Sequence, residues 1–79
     1  MIHNIKTLQP YFNDVKSGKK TFELRKDDRN YQAGDTLWLL KYDANNGHTG
    51  QIVSKTISYI LRNCPQYGLK DGYCILGII

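Results

Sequence analysis

The sequence predicts a small, mainly β domain of the α+β class, in which five or six short strands close into a barrel and one short helix follows the first strand. Three observations indicate this fold. Residues 21–25 alternate apolar and polar side chains with the period of a strand. Asn46-Gly47 has the composition of a hairpin turn, and residues 51–62 form a long β-branched run. With 79 residues the chain is predicted to be a single domain, residues 1–79, and closure avoids open strand edges at this size.

The first half of the chain predicts a strand and then a helix. Residues 2–8 indicate a short strand, although their alternation is poor. Pro10 suits the start of a helix over residues 10–17, and Gly18 suits its end, where a left-handed residue is wanted. The apolar residues of this helix are expected to form its buried stripe; they are Tyr11, Phe12 and Val15.

The next strand, residues 21–25, carries the most informative pattern of the sequence. Its two apolar residues, Phe22 and Leu24, are expected in the core. Glu23 is then a lone acid among bases on an exposed face, and residues 26–30 form a polar loop. The plainest interpretation of Glu23 is a surface ion pair with Arg25 or Arg29.

The second half predicts a hairpin and a closing strand. Residues 36–42 are apolar on both faces, which indicates a strand buried on two sides with Trp38 in the core. Asn46-Gly47 favours a type I′ turn into the strand of residues 51–62. The inner side of that strand is expected to consist of Val53, Ile57, Tyr59 and Leu61. Residues 63–70 form a loop, and residues 72–79 close the sheet.

Composition excludes several classes of function. Eleven Lys and Arg against seven acids leave a net charge of +4, which permits a polyanionic partner without demanding one. Cys64 and Cys74 form no zinc-binding pattern with the two histidines, so neither a metal nor a cofactor is expected. No apolar run is long enough for a leader or a membrane span, so the sequence predicts a soluble, cytoplasmic protein without a membrane partner.

Four residues form a motif. Gly18, Lys20, Glu23 and Arg25 spell G-x-K-x-x-E-x-R, which resembles the signature of the ASCH domain, a member of the PUA-like superfamily of pseudobarrels. The resemblance extends along nearly the whole chain, to one subgroup of small bacterial and phage proteins that are uncharacterised and labelled RNA-binding-protein-like. Further matching positions are His3 with Lys6, Tyr11-Phe12, Lys20 to Arg25, Asp28-Arg29, Gly34-Asp35 and Thr49-Gly50.

The resemblance implies a module that binds RNA or a nucleotide in a basic cleft lined by the signature residues. We expect this cleft between the signature strand and the loop of residues 26–30. Lys20, Arg25 and Arg29 would contact phosphate, because guanidinium and ammonium groups suit that anion, and Glu23 would contact a polar group of the base. Three further candidates for this interface are His3, Lys6 and Tyr42, the last as a stacking ring.

Two other functions stay open. Some small ASCH relatives are amidohydrolases that deacylate modified cytidine with a Lys, a Thr and a Glu. Lys20 matches that Lys, but Glu23 occupies the position of the Thr, so a binding module is favoured over an enzyme with Lys20 and Glu23 as proton carriers. The third function is a protein-interaction module. Each candidate also has a structural interpretation: Lys20 could balance the helix C-terminus, and His3 and Tyr42 could be surface or rim residues.

Overall fold

A computed structural model describes residues 1–79 of the chain. The protein contains five strands, one α-helix and one short 3-10 helix. In chain order they are β1 (Ile2–Thr7), α1 (Tyr11–Lys16), β2 (Phe22–Lys26), β3 (Thr36–Asp43), β4 (Gly47–Leu61), the 3-10 helix (Pro65–Tyr67) and β5 (Tyr73–Ile78). The mainly β class and the single helix after the first strand are therefore confirmed. Neither helix is long and apolar enough to cross a membrane.

Helix α1 follows the prediction closely. Phe12 and Val15 lie in the core, where they are 1% and 0% exposed. Gly18 follows the C-cap residue Ser17 with φ of +82°, the left-handed conformation that glycine adopts without a steric cost. Pro10 occupies the N-cap position, and Tyr11 begins the helix but is 54% exposed, outside the predicted buried stripe.

The five strands form one sheet in the order β1-β3-β4-β5-β2, in which β1 and β3 are parallel and the other pairs antiparallel. The predicted hairpin joins β3 to β4, but its turn is not type I′: Asp43 pairs with Gly47, and of Asn46 and Gly47 only Gly47 has a positive φ, +76°. Strand β4 pairs with β3 through its first part and with β5 through its last, so it connects both halves of the sheet. A register shift near residue 58 marks the change of partner.

The predicted barrel closure is wrong. Strands β1 and β2 occupy the two ends of the sheet, and no backbone ladder joins them. Two arginine side chains connect these edges instead: Arg25 Nη2 donates to the Lys6 carbonyl at 2.8 Å, and Arg29 Nη1 donates to the Asn4 carbonyl. These carbonyls belong to alternate residues of an edge strand, where no backbone donor is available. The sheet therefore stays open between its two ends.

The predicted faces of β2 are reversed. Glu23 is 3% exposed, whereas Phe22 and Leu24 are 47% and 56% exposed. Glu23 lies opposite Leu76, which is itself buried, so its row faces the interior. On the outer face the pairing places Leu24, Ile75 and Leu61 in one row, and Phe22, Gly77 and Tyr59 in the next. Phe22 and Leu24 thus lie beside apolar neighbours on the outer face of the sheet, not in the core that the alternation predicted.

Three other predicted core positions lie at the surface. Trp38 is 39% exposed, because β3 alternates and buries Leu37 and Leu39 on one face only. Tyr59 and Leu61 follow the register shift in β4 and are 66% and 41% exposed. The core consists of ten buried residues from α1, from all strands except β2, and from the segment before β3; they are Ile5, Phe12, Val15, Tyr31, Leu37, Leu39, Ile57, Cys74, Leu76 and Ile78.

Candidate functional site

The principal cleft opens between the C-terminal end of β1 and strand β2, where the sheet is not closed. Its volume is about 440 Å³. It is lined by three cationic residues, one carboxylate and five others; they are Lys6, Thr7, Leu8, Tyr11, Lys20, Phe22, Glu23, Leu24 and Arg25. The sequence predicted a cleft between β2 and the loop of residues 26–30. That location is wrong, because the edge of β1 forms the opposite wall.

Glu23 lies at the centre of the charged lining. Its Oε1 accepts a hydrogen bond from Lys20 Nζ at 2.7 Å, and its Oε2 accepts one from Arg25 Nε at 3.1 Å. A buried carboxylate is costly unless it is paired and hydrogen-bonded, and these two cations supply both conditions. The expected ion pair with Arg25 is therefore present, but it is buried and not on an exposed strand face. Two cations and one carboxylate leave this cluster with a net positive charge.

Lys20 is held in place by its neighbours on three sides. Its backbone N–H donates to the Asp14 carbonyl of α1 at 2.9 Å, which fixes the segment between helix and strand. Its ammonium lies 5.6 Å from the ring centroid of Tyr11 and 5.0 Å from that of Phe22. Both distances fall within the range of a cation–π contact. The charge of Lys20 thus faces Glu23 and two rings rather than the end of the helix. The alternative that Lys20 balances the helix C-terminus is therefore not observed.

Arg25 and Arg29 have separate surroundings. The Arg25 guanidinium bonds Glu23 and the Lys6 carbonyl, and its other N–H donors have no protein partner. It lines the cleft with a side chain about one-quarter exposed, at 26%. Arg29 lies outside the cleft lining, bound to Asn4. The structure therefore brings Lys20, Glu23 and Arg25 together and leaves Arg29 at the neighbouring edge.

Lys6 and Tyr42 lie beside one another at the border of the cleft. Lys6 lines the cleft, and its ammonium lies 5.1 Å from the ring centroid of Tyr42. Tyr42 is outside the lining and stacks on His48, with centroids 5.6 Å apart and ring planes at 18°. Of these three residues, the sequence singled out Lys6 and Tyr42 but assigned nothing to His48.

His3 lies neither in the lining of the cleft nor on the surface. It is 5% exposed, and its Nε2 lies 2.8 Å from Asp35 Oδ2. The Tyr31 ring packs edge-on against His3 at 4.8 Å. The hydrogen bond with His3 is the main reason that the pKa of Asp35 is lowered, and the backbone N–H of Gln32 adds to the effect. His3 thus belongs to an interior polar cluster.

The two cysteines are free and buried. Desolvation is the main cause that raises the pKa of the Cys74 thiol, and the Asp27 carboxylate raises it further. A raised pKa lowers the thiolate fraction, so Cys74 is a poor nucleophile. No three His, Cys, Asp or Glu side chains come together in a geometry that could hold a metal ion.

Sequence reasoning missed the cleft walls made by Tyr11 and Phe22. Both were assigned to the core because they are aromatic and stand at positions that fit a buried face. The available signal was their position around Lys20: Phe22 follows it by two residues, and Tyr11 stands in the first turn of the preceding helix. Periodicity alone does not separate a ring that packs in a core from a ring that lines a cleft.

Comparison with known proteins places the chain in a family. Residues 2–78 match the family described as domain of unknown function DUF3850, so the protein belongs to that family. A second similarity is to an uncharacterised 12.9 kDa protein of Escherichia phage P2, encoded in the GpA 3′ region. The two are 55% identical over 38 residues, which cover 48% of this chain and 35% of the phage protein. The matched segment thus spans about a third of the length of that curated relative.

Proposed function

We propose that this protein is an ASCH-like domain of the PUA-like superfamily that binds single-stranded RNA or a nucleotide in the cleft between β1 and β2. One observation carries the proposal: the cleft combines three cations, Lys6, Lys20 and Arg25, with the rings of Tyr11 and Phe22. Phosphates require cations, and bases require flat apolar surfaces. Few other ligands need both within one cleft of about 440 Å³.

The phosphate is assigned to the cations by counting donors. An ammonium has three N–H donors and a guanidinium five. Lys20 uses one on Glu23, and Arg25 uses one on Glu23 and one on the Lys6 carbonyl. The remaining donors of both side chains are available to a ligand. Because the charges are already fixed in position, a bound phosphate would order little additional side chain.

The base is assigned to the aromatic wall. Tyr11 and Phe22 are each about half exposed, at 54% and 47%, although aromatic side chains normally gain from burial. Lys20 lies between them, so a ring that stacks on Phe22 would bring its phosphate close to that ammonium. Exposed rings beside cations are the usual construction of sites for single-stranded nucleic acids.

Glu23 is assigned a positioning role rather than the base contact expected from the sequence. Both of its oxygens are bound to cations, and its side chain is 4% exposed. A ligand group would therefore have to displace Lys20 or Arg25 to reach it. The carboxylate orients the two cations and reduces their mutual repulsion.

A second candidate function is supported by one distance. Lys20 and Glu23 are 2.7 Å apart inside the cleft, a pair that could transfer protons to and from a reacting group. On this basis the protein would be an amidohydrolase acting on an acylated nucleoside. Binding is favoured because both oxygens of Glu23 already accept hydrogen bonds from cations, so a substrate would have to displace Lys20 or Arg25 to give Glu23 a proton.

The test is a salt-dependent titration of single-stranded RNA, with the matched DNA for comparison. Three phosphate contacts predict a log–log slope of about −2. Lys20→Gln should weaken binding and lower the magnitude of the slope by about 0.7, whereas Lys16→Gln, an exposed lysine of α1 outside the cleft, should change neither. Release of the acyl group from N4-acetylcytidine is assayed in parallel.

The outcomes separate the candidates. Affinity that does not depend on salt or on Lys20 would contradict the phosphate role. Turnover that is lost in Lys20→Gln would favour the amidohydrolase. If the protein neither binds nor hydrolyses these ligands, both candidates are contradicted and the protein-interaction module is the function left to test.

A further inference from the structure

A second, smaller cleft adjoins the first and shares Leu8 with it. Its volume is about 320 Å³, and its other lining residues are Gln9, Lys41, Tyr42, Asp43 and Ala44. The two clefts therefore lie on either side of the end of β1. The proposed function uses only the first of them.

The ring of Tyr42 forms one wall of the second cleft. His48, from the neighbouring strand β4, pairs with Tyr42 and stacks on it with ring planes at 18°. The ammonium of Lys6, from β1, lies 5.1 Å from its centroid. The tyrosine ring is thus contacted by side chains from both neighbouring strands.

Lys6 is the only cation that lines the first cleft and also contacts Tyr42 of the second. It has no carboxylate partner, in contrast to Lys20 and Arg25, so its ammonium is available to an anion. A group bound by Lys6 would lie between the two clefts.

The second cleft is better suited to a base than to a phosphate. Its lining contains one cation, Lys41, and one acidic residue, Asp43, so it carries no net positive charge. The first cleft, in contrast, holds three cations against one carboxylate. A neutral base can contact the apolar surface of Leu8 and the ring of Tyr42.

We propose that the ligand is a single strand of at least two nucleotides, with one base in each cleft and the phosphate that joins them on Lys6. This inference rests on the proposed function, and it adds that a mononucleotide fills only half of the site. Each stacked base contributes a free energy equivalent to a factor of about 5 to 100 in affinity. A dinucleotide should therefore bind more tightly than a mononucleotide by a factor in that range.

The experiment compares three ligands of increasing length: adenosine 5′-monophosphate, its 5′-phosphorylated dinucleotide and its hexanucleotide. Dissociation constants are measured by calorimetric titration at one fixed salt concentration. The largest gain is expected between one and two nucleotides. Tyr42→Ala should remove most of this gain and change the affinity for the monophosphate much less, because Tyr42 reaches the first cleft only through its contact with Lys6.

Two further variants control for damage to the fold. Tyr42→Phe keeps the ring and should retain the gain. Tyr67→Ala removes a tyrosine of the 3-10 helix that is 85% exposed and lines neither cleft, so it should behave as the parent protein. Thermal melting of each variant accompanies the titrations. If Tyr42→Ala is unfolded, Tyr42→Leu, which keeps apolar volume without a ring, takes its place with the same expected loss.

The outcomes distinguish this inference from the proposal on which it rests. Equal affinity for one and two nucleotides would overturn the inference and leave the first cleft as the nucleotide site. A gain that persists in Tyr42→Ala would also overturn it, since the second base would then lie elsewhere. Absence of binding by all three ligands would instead overturn the proposed function, and this inference with it.

Discussion

The protein contains two buried carboxylates, Glu23 and Asp35, whose hydrogen-bond partners differ. Each is less than 10% exposed and each has positively charged or ionisable partners. Asp35 faces His3 at 2.8 Å, the α-ammonium of Met1 at 3.2 Å and the backbone N–H of Gln32 at 3.0 Å. Glu23 faces Lys20 and Arg25.

The difference lies in whether the partners have N–H donors left that could bind a ligand. His3 is enclosed and packs against Tyr31, and the other cationic partner of Asp35, the exposed α-ammonium of Met1, lines neither cleft. Lys20 and Arg25 keep free donors that face a cleft. A buried carboxylate therefore does not by itself mark a site; a carboxylate whose partners retain unused donors in a cleft does.

The largest expected effect comes from removing the carboxylate of Glu23. Glu23→Ala should lower the free energy of unfolding by about 1.5–3 kcal/mol, since hydrogen bonds to charged groups have that magnitude and two cations lose their partner. Urea denaturation measures this change. The Glu23→Gln variant should lose less of the free energy of unfolding, and it should bind nucleotides several-fold more weakly. A loss below about 0.5 kcal/mol in Glu23→Ala would show that the cations are fully solvated without it.

The next effect concerns the aromatic wall. Phe22→Ala should weaken nucleotide binding by about 1–3 kcal/mol, the contribution of one stacked base. Its free energy of unfolding should fall by less than about 1 kcal/mol, because the ring is 47% exposed; a fully buried Phe would lose about 3–5 kcal/mol. Calorimetric titration and urea denaturation give the two values. A large loss of stability without a change in affinity would assign Phe22 to the core after all.

A smaller effect is expected from Lys20→Met, which removes the charge and keeps the aliphatic stem. The affinity for a nucleotide should fall several-fold, while the free energy of unfolding should fall by about 1–3 kcal/mol, since the buried Glu23 carboxylate keeps only Arg25 as a partner. Thermal melting and titration test this pair of values. Unchanged affinity would remove Lys20 from the site.

The smallest effect is expected from pH and separates the two carboxylates. The pKa of Asp35 is lowered from its ordinary value of 3.8, so its contribution to stability is complete above that value. It is lost as the pH falls through the lowered pKa. Asp35→Asn should therefore reduce the difference in unfolding free energy between pH 6 and pH 3, and leave nucleotide affinity at pH 7 unchanged. Reduced affinity in Asp35→Asn would show that the two clusters are coupled.

Local signals predicted most of the elements, and tertiary pairing explains the failures. Pro10, Gly18 and the turn at Gly47 act within a few residues of the chain, so their effects could be read from the sequence. The orientation of β2 depends on Tyr59, Leu61 and Ile75, which are far away in sequence and supply apolar neighbours for its outer face. Alternation gives the period of a strand but not which of its faces is buried.

The candidate site was predicted in part for the same reason. The spacing of Lys20, Glu23 and Arg25 is short enough for the motif to indicate that they lie together, and the structure shows their hydrogen bonds. The opposite wall of the cleft comes from β1, which is not adjacent to β2 in the sheet. Only the fold brings Lys6 to Arg25, and the same applies to the pairing of His3 with Asp35.

The bonds from Arg25 and Arg29 to the β1 carbonyls have a further consequence for solubility. An unpaired strand edge presents acceptors on which another chain can form a ladder, which is a route to aggregation. Two acceptors of that edge, on Asn4 and Lys6, are already occupied by guanidinium groups. The same side chains also place positive charge along the edge, so an approaching copy of the protein meets repulsion where it would otherwise find a template.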